Sequence, residues 1–257
     1  MIDPRAVVDP AARLASDVTV GPFTIIGPDV EIDAGTWIGP HAVIQGPTRI
    51  GRDNRIYQFT SLGEIPQDKK YGGEPTRLEI GDRNTIREFV TINRGTAQDA
   101  GLTRVGDDNW IMAYVHIAHD CVVGNRTIFA NGASLAGHVR VEDDVVLGGF
   151  ALVYQFTRLG MHSFCGFACG VHRDVPPYVT VAGYRAEPYG INAEGLRRRG
   201  FADEEIQAIR RAYKLVYRAN LRLEEAMEKV REMAVDYPRL QILADFLAAP
   251  SRNGIVR

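Results

Sequence analysis

An aliphatic residue recurs at every sixth position along most of this chain. From Ile2 the register runs through Val8, Leu14, Val20, Ile26, Ile32, Ile38, Ile44, Ile50 and Ile56 to Leu62, eleven positions without a miss. It resumes at Ile80, Ile86 and Ile92. It then shifts by one residue and continues through Val105, Ile111, Ile117, Val123, Phe129, Leu135, Val141, Leu147, Val153, Leu159, Cys165 and Val171. These twenty-six slots fit neither the two-residue period of an amphipathic strand nor the 3.6-residue period of a helix. A sandwich of ordinary strands would not hold one register over eleven hexads. Hexads instead signal a parallel β-helix, with three hexads, about 18 residues, in each coil. The slots fill between eight and nine coils and stack into one apolar column. Glycine follows many slots, as at Gly21, Gly39, Gly51, Gly81 and Gly124. That suits corners where backbone meets backbone or takes unusual dihedrals.

The register fails twice. After Leu62 the next slots fall on Asp68 and Glu74, which cannot join an apolar column, so a segment of about 63–79 should loop out. A second break over 93–104, around Gly95 and Gly101, supplies the one-residue shift. With 18-residue coils, Ile117, Leu135 and Val153 stack on one side. Counting back, the second loop replaces the slot beneath Ile117, and Leu62 and Ile80 fall on that same side. Both loops would then leave beside residues 116–120. Interruptions of a regular scaffold tend to carry function. The hexads stop near Pro176-Pro177, and the pattern turns helical from about Asn192. Phe201 to Arg218 shows helical spacing, with Asp203 as a candidate cap; Leu223 to Tyr237 and a segment after Pro238 follow. The expected organisation is a β-helix over 1–190 and an α-helical domain over 191–257.

Composition narrows the picture. Thirty basic and 32 acidic residues nearly balance and give no reason to expect a nucleic-acid partner. No stretch resembles a signal peptide or a membrane span, which points to a cytoplasmic protein. Three cysteines, one of them in a repeat slot, read as small core residues in a reducing compartment.

Three of the six histidines cluster at His116, His119 and His138. Eighteen-residue spacing puts His119, Gly137 and Gln155 in one column and Asp120 and His138 in the next, with His116 on the preceding flank. A histidine beside a carboxylate suits general-base work, because the carboxylate fixes the tautomer and stabilises the imidazolium. A glycine N–H in the same column could stabilise an oxyanion. Two other readings compete. The histidines could merely decorate the coils, or three of them could hold a catalytic zinc with an open fourth position. The gamma-class carbonic anhydrases do the latter on a left-handed β-helix, with a ligand pair spaced five apart, whereas this chain has His116-x-x-His119.

At these residues the chain resembles a known family. Ile117-Ala118-His119-Asp120-Cys121, Leu135-Ala136-Gly137-His138-Val139, Gly51-Arg52-Asp53-Asn54, Gly73-Glu74-Pro75-Thr76-Arg77, Asp174-Val175-Pro176-Pro177-Tyr178 and Glu194-Gly195-Leu196-Arg197-Arg198-Arg199-Gly200 are similar to motifs of the UDP-N-acetylglucosamine O-acyltransferases, the first acyltransferases of lipid A biosynthesis. The resemblance implies a left-handed β-helix, a homotrimer and active sites between subunits. It also implies transfer of a 3-hydroxyacyl group from acyl carrier protein to the 3-position of UDP-N-acetylglucosamine. No metal or cofactor is implied, since the acyl donor rides on the carrier's phosphopantetheine. By this resemblance His119 is the general base, Asp120 orients it and Gly137 donates to the oxyanion. His138, Gln155 and His116 would touch sugar and pantetheine. Gln67, Asp68 and Lys70 would line the sugar and phosphate site. Asn192, Glu194, Arg198 and Arg199 would bind uridine and diphosphate, for which arginine is suited.

The chain also departs from the family pattern. Tyr154 and Asn93 each stand where better-known members carry histidine. Asn93 leaves open an acceptor with a 3-amino group and an amide product. Phe167 replaces a glycine that lines the far end of the acyl groove, with Arg185 expected nearby; filling that space predicts a shorter acyl chain. A later N-acyltransferase of the same pathway normally has a separate N-terminal domain, whereas here the hexads begin at Ile2.

Overall fold

A computed structural model describes all 257 residues. Each hexad forms a short strand and a corner, and the strands line three faces of nine, eight and ten strands. The chain visits the first face at His116–Ile117, the second at Val122–Val123 and the third at Ile128–Phe129. It then returns to the first at Ser134–Leu135, one coil higher. Ile117 pairs with Leu135, and Leu135 with Val153, all in parallel. The result is a left-handed parallel β-helix. Every slot from Val20 to Val171 is buried, within a core of 40 residues. The lowest slots differ: Ile2 is exposed and Val8 and Leu14 only half-buried, since no coil lies beneath them.

The glycines do half of what their spacing suggests. A Cβ on Gly21 would meet the backbone of Gly39 at 2.7 Å, so close approach explains that position. The left-handed corner dihedrals, however, fall mainly on larger residues, among them Phe23, His41, Phe59, Phe89 and Tyr114. A bulky residue in that region costs about 1–2 kcal/mol. At this corner the rings stack coil on coil, with centroids 4.9 to 5.3 Å apart, which offsets part of the cost.

The stacking of the loops corrects the sequence expectation. Beneath Ile117 lies Ile92, and beneath Ile92 lies Leu62, while Ile80 belongs to the second face. No slot is replaced. Ser61 pairs with Thr91, thirty residues on, and Thr91 with His116, twenty-five on. The first insertion is therefore two hexads, which preserves the register, and the second is one hexad plus one residue, which shifts it. Both lie at the corner between the first and second faces, the corner occupied higher up by His119 and Asp120. The loops do flank residues 116–120, but as insertions at a corner.

Above the coils, Val179–Ala182 and Glu187–Ile191 form an antiparallel hairpin that the hexads gave no sign of. Four helices follow: α1 (Ala193–Arg198), α2 (Asp203–Tyr217), α3 (Leu223–Asp236) and α4 (Leu240–Ala248). Asp203 is the first residue of α2, not its cap; Ala202 holds that place, and its N–H donates to the Glu205 carboxylate at 2.8 Å. The helices share a second core of 15 residues around Ile209, Ala212, Val230 and Leu243. The chain end then drops back to the coils, where Ile255 bridges Asp174 and Val256 joins the coil core. No helix is long and apolar enough to cross a membrane. All three cysteines are buried and free, and burial pushes the Cys121 thiol up to about 12 and Cys169 to about 11.

Candidate active site

The corner between the first and second faces assembles the predicted columns. Asp120, His138 and Phe156 each take the left-handed corner conformation on successive coils. The His138 ring lies flat on Phe156, with centroids 4.4 Å apart, and meets His119 edge-on at 5.1 Å. One position earlier, the His119 imidazole covers Gly137 so closely that a Cβ there would stand 2.6 Å from Cε1.

His119 Nδ1 is 2.8 Å from Asp120 Oδ2. The Asp120 carboxylate is almost fully buried and also accepts from the Thr96 N–H at 2.9 Å and the Thr96 hydroxyl at 2.6 Å. Burial alone would raise this carboxyl. The hydrogen bonds from His119 and Thr96 outweigh it and hold the group below the usual carboxylate value. An ionised Asp120 requires the proton on His119 Nδ1, so the lone pair sits on Nε2, which has no partner in the chain. The Gly137 N–H likewise donates to no acceptor within the chain. A base with a fixed tautomer thus faces a pocket of about 650 Å³, and Gly137, with its free N–H, lies against the ring of that base.

That pocket is lined by Gln67, Asp68 and Lys70 from the first loop and Gln98 from the second, with His119, His138 and Gln155 on the coils. The structure therefore brings together most of the residues expected near the base. Others stand apart. His116 is half-buried beside the pocket, with Nδ1 2.7 Å from the Thr91 hydroxyl; burial and the neighbouring His119 hold it below the usual histidine value. Asn93 is buried, and its amide donates to the Ile65 carbonyl at 2.9 Å, tying the first loop to the coil and leaving no group in the pocket lining. Tyr154 is exposed and stacks on His172.

Asn192, Glu194 and Arg198 lie elsewhere on the chain. With Arg197 they edge a second pocket on the third face, floored by Ile128, Val146 and Phe164. Asn192 caps α1, accepting from Gly195 N–H at 3.1 Å while its amide donates to the His162 carbonyl at 3.0 Å. Arg199 turns away from that pocket and pairs with Asp144 at 2.9 Å. Phe167 is 74% exposed and meets Phe150 edge-on at 6.1 Å; Arg185 is also exposed, in the turn one level above.

Of the groups that could ligate a cation, His119, Asp120 and His138 come within 4.8 Å of one another, and His116 is not among them. The three histidines do not converge as one ligand set. Nδ1 of His119 faces Asp120, and Nδ1 of His138 faces Asp99 at 3.1 Å.

Sequence reasoning missed Thr96, Asp99, Gln98, Phe156 and Arg252. Phe156 is the next member of the Asp120–His138 column and could have been found by one more step of eighteen. The others sit on the inserted loop and the chain end, where no period applies.

Comparison with known proteins agrees with this arrangement. Residues 174–256 match the family described as Udp N-acetylglucosamine O-acyltransferase, Domain 2, and residues 102–137 match the bacterial transferase hexapeptide repeats. The acyl-[acyl-carrier-protein]–UDP-N-acetylglucosamine O-acyltransferase of Halorhodospira halophila is 62% identical, over the whole of this chain and 99% of its own. That of Herminiimonas arsenicoxydans is 59% identical, with the same coverage. Among solved structures, the Acinetobacter baumannii enzyme superposes with a TM-score of 0.97 at 46% identity, covering all of this chain and 99% of that one. With identity this high from end to end, the chain belongs to the acyl-[acyl-carrier-protein]–UDP-N-acetylglucosamine O-acyltransferase family.

Proposed function

We propose that His119 is the general base of the family's reaction, which in this chain moves an acyl group from acyl carrier protein to UDP-N-acetylglucosamine in the first step of lipid A synthesis. The observation that carries the assignment is the His119–Asp120 pair, with Nε2 open to the pocket and the Gly137 N–H beside it. Nε2 takes the proton of the sugar 3-hydroxyl as that oxygen attacks the thioester carbonyl. The tetrahedral oxyanion is held by the Gly137 N–H. On collapse the C–S bond breaks, and the imidazolium returns its proton to the leaving thiolate. The products are the ester and the carrier thiol. His119→Ala should lose most turnover while keeping the assembly; survival of activity would remove His119 from the role. The related proteins are named O-acyltransferases, which does not favour the amide alternative. Metal analysis of the purified protein tests the acid–base reading against a cation held by His119, Asp120 and His138.

The working unit in this proposal is a homotrimer. Outward positions on the second face are mostly charged, as at Arg13, Glu31, Arg49, Arg104 and Arg140. The first face presents Val7, Ile25, Val43 and Leu152, and the third presents Trp37, Trp110, Ile128, Val146 and Phe164. The aromatic corner lies between these two. Packing the first face of one copy on the third face of the next closes a three-fold ring, with the charged face in water. Rotation about an axis along the coils keeps each residue at its height. The His119 corner of one copy and the pocket of Asn192, Glu194 and Arg198 on another stand on the same coils, so the ring joins the two half-sites. Leu152→Glu should give monomers by sedimentation and abolish turnover.

The acyl group is proposed to be a 3-hydroxyacyl chain of modest length, because the Phe167 ring occupies space at the end of the inter-copy groove, with Arg185 adding a polar limit. Glu194, Arg198 and Asn192 serve the nucleotide, and Arg199 reaches a diphosphate only by leaving Asp144. Acyl carrier protein and the UDP-sugar place the reaction in the cytoplasm.

A further inference from the structure

We infer that Arg252, carried on the returning chain end, is a phosphate-binding residue of the catalytic pocket. This rests on the assignment of that pocket to the acyl transfer.

The side chain lies in the pocket lining together with His119, His138 and Gln155. Its guanidinium sits 3.7 Å from the centroid of the Phe156 ring, and Phe156 is stacked in turn on His138. The chain that follows it is tied down. The Asn253 amide donates to the Gln155 carbonyl at 3.1 Å, and the Asp174 N–H donates to the Gly254 carbonyl at 2.9 Å. The Val256 N–H donates back to Asp174 at 2.9 Å. Cation–π contact fixes the plane of the guanidinium while leaving its N–H donors at the edge.

Those donors are uncommitted. The two arginines assigned to the nucleotide are engaged: Arg198 with Glu194 and Arg199 with Asp144. Arg252 forms no ion pair and no hydrogen bond, although Asp68 and Asp99 lie around the same corner. An unpaired, pre-oriented cation at the edge of a pocket that must admit two phosphate-bearing substrates is suited to one of their phosphates. Lys70 lies on the loop inserted at the corner two levels below His119 and three below His138, whereas Arg252 stacks on Phe156, one level above His138. The two cations therefore bracket the base along the coil axis, which leaves one phosphate for each end. The common chemistry is a phosphate oxygen, on either the sugar nucleotide's diphosphate or the phosphodiester of the phosphopantetheine arm.

Calorimetric titration of the full-length assembly with UDP-N-acetylglucosamine and, separately, with 4′-phosphopantetheine distinguishes the sources. Arg252→Gln should weaken one of the two by roughly ten-fold, the usual loss for a charge-assisted hydrogen bond. KM for the affected substrate should rise by a similar factor, and Arg252→Lys should recover part of the affinity. Unchanged affinity for both ligands overturns the inference, as does an equal loss of both with a lowered melting temperature, which would mark a structural role for the chain end. Failure of the underlying reading looks different: His119→Ala would retain turnover, whatever Arg252 does.

Discussion

A single methyl group on Gly137 should cripple the enzyme without unfolding it. The Cβ of an alanine there would stand 2.6 Å from His119 Cε1 and 2.8 Å from Nε2, whereas ordinary contact begins at 3.4 Å. The ring must therefore retreat by about 0.8 Å. It cannot do so freely, because Nδ1 is held at 2.8 Å by a buried Asp120 that Thr96 holds in place. Gly137 does not use the left-handed region, so alanine adds no backbone strain, and the substitution leaves the oxyanion N–H in place. A base displaced by about an ångström costs on the order of 100-fold in rate, roughly 2.7 kcal/mol of barrier. We expect kcat to fall by that factor in an assay of released carrier thiol with a chromogenic disulfide. The melting temperature should move by only a few degrees. A kcat within three-fold of wild type in a correctly assembled Gly137→Ala protein would refute the placement of the base.

Other consequences can be checked alongside. Asp120→Asn keeps the shape but allows the wrong His119 tautomer, and should lower kcat by roughly 10²–10⁴ with little change in substrate affinity; a small effect would show that Asp120 does not set the tautomer. Phe167→Gly should shift preference toward longer acyl chains in a series of carrier thioesters, and a wild-type preference for the longest chain would remove the steric argument. Burial holds His116 and His162 below the usual histidine value of 6.5. Between their folded values and 6.5 the unfolded chain binds more protons, so this stability is present above 6.5 and is lost as pH falls below it. Melting curves should show that loss, and His116→Gln should flatten the slope; an unchanged slope would exclude His116 as a contributor.

The part of the fold that is legible in the sequence is the part fixed by covalent spacing. In a coil of constant length, residues eighteen apart must stack, so His119 over Gly137 and Asp120 over His138 follow from counting alone. The inward slots follow from the cost of burying anything polar in the column, which is why Asp68 and Glu74 announce a loop. The same rule misplaced Ile80, because counting assumes that an insertion occupies slots, whereas these insertions bulge from a corner.

Tertiary structure decided what the period cannot reach. Thr96 comes to Asp120 from an inserted loop, Arg199 is drawn to Asp144, and Arg252 arrives only after four helices have packed their own core and returned the chain to the coils. Those contacts depend on where separate packed bodies meet, and no local spacing encodes that. The sequence alone determined the β-helix and the columns that hold the base and its carboxylate. The folded chain determined which charges are already paired, which face the pocket unpaired, and that Asn192, Glu194 and Arg198 stand on a different face from the base.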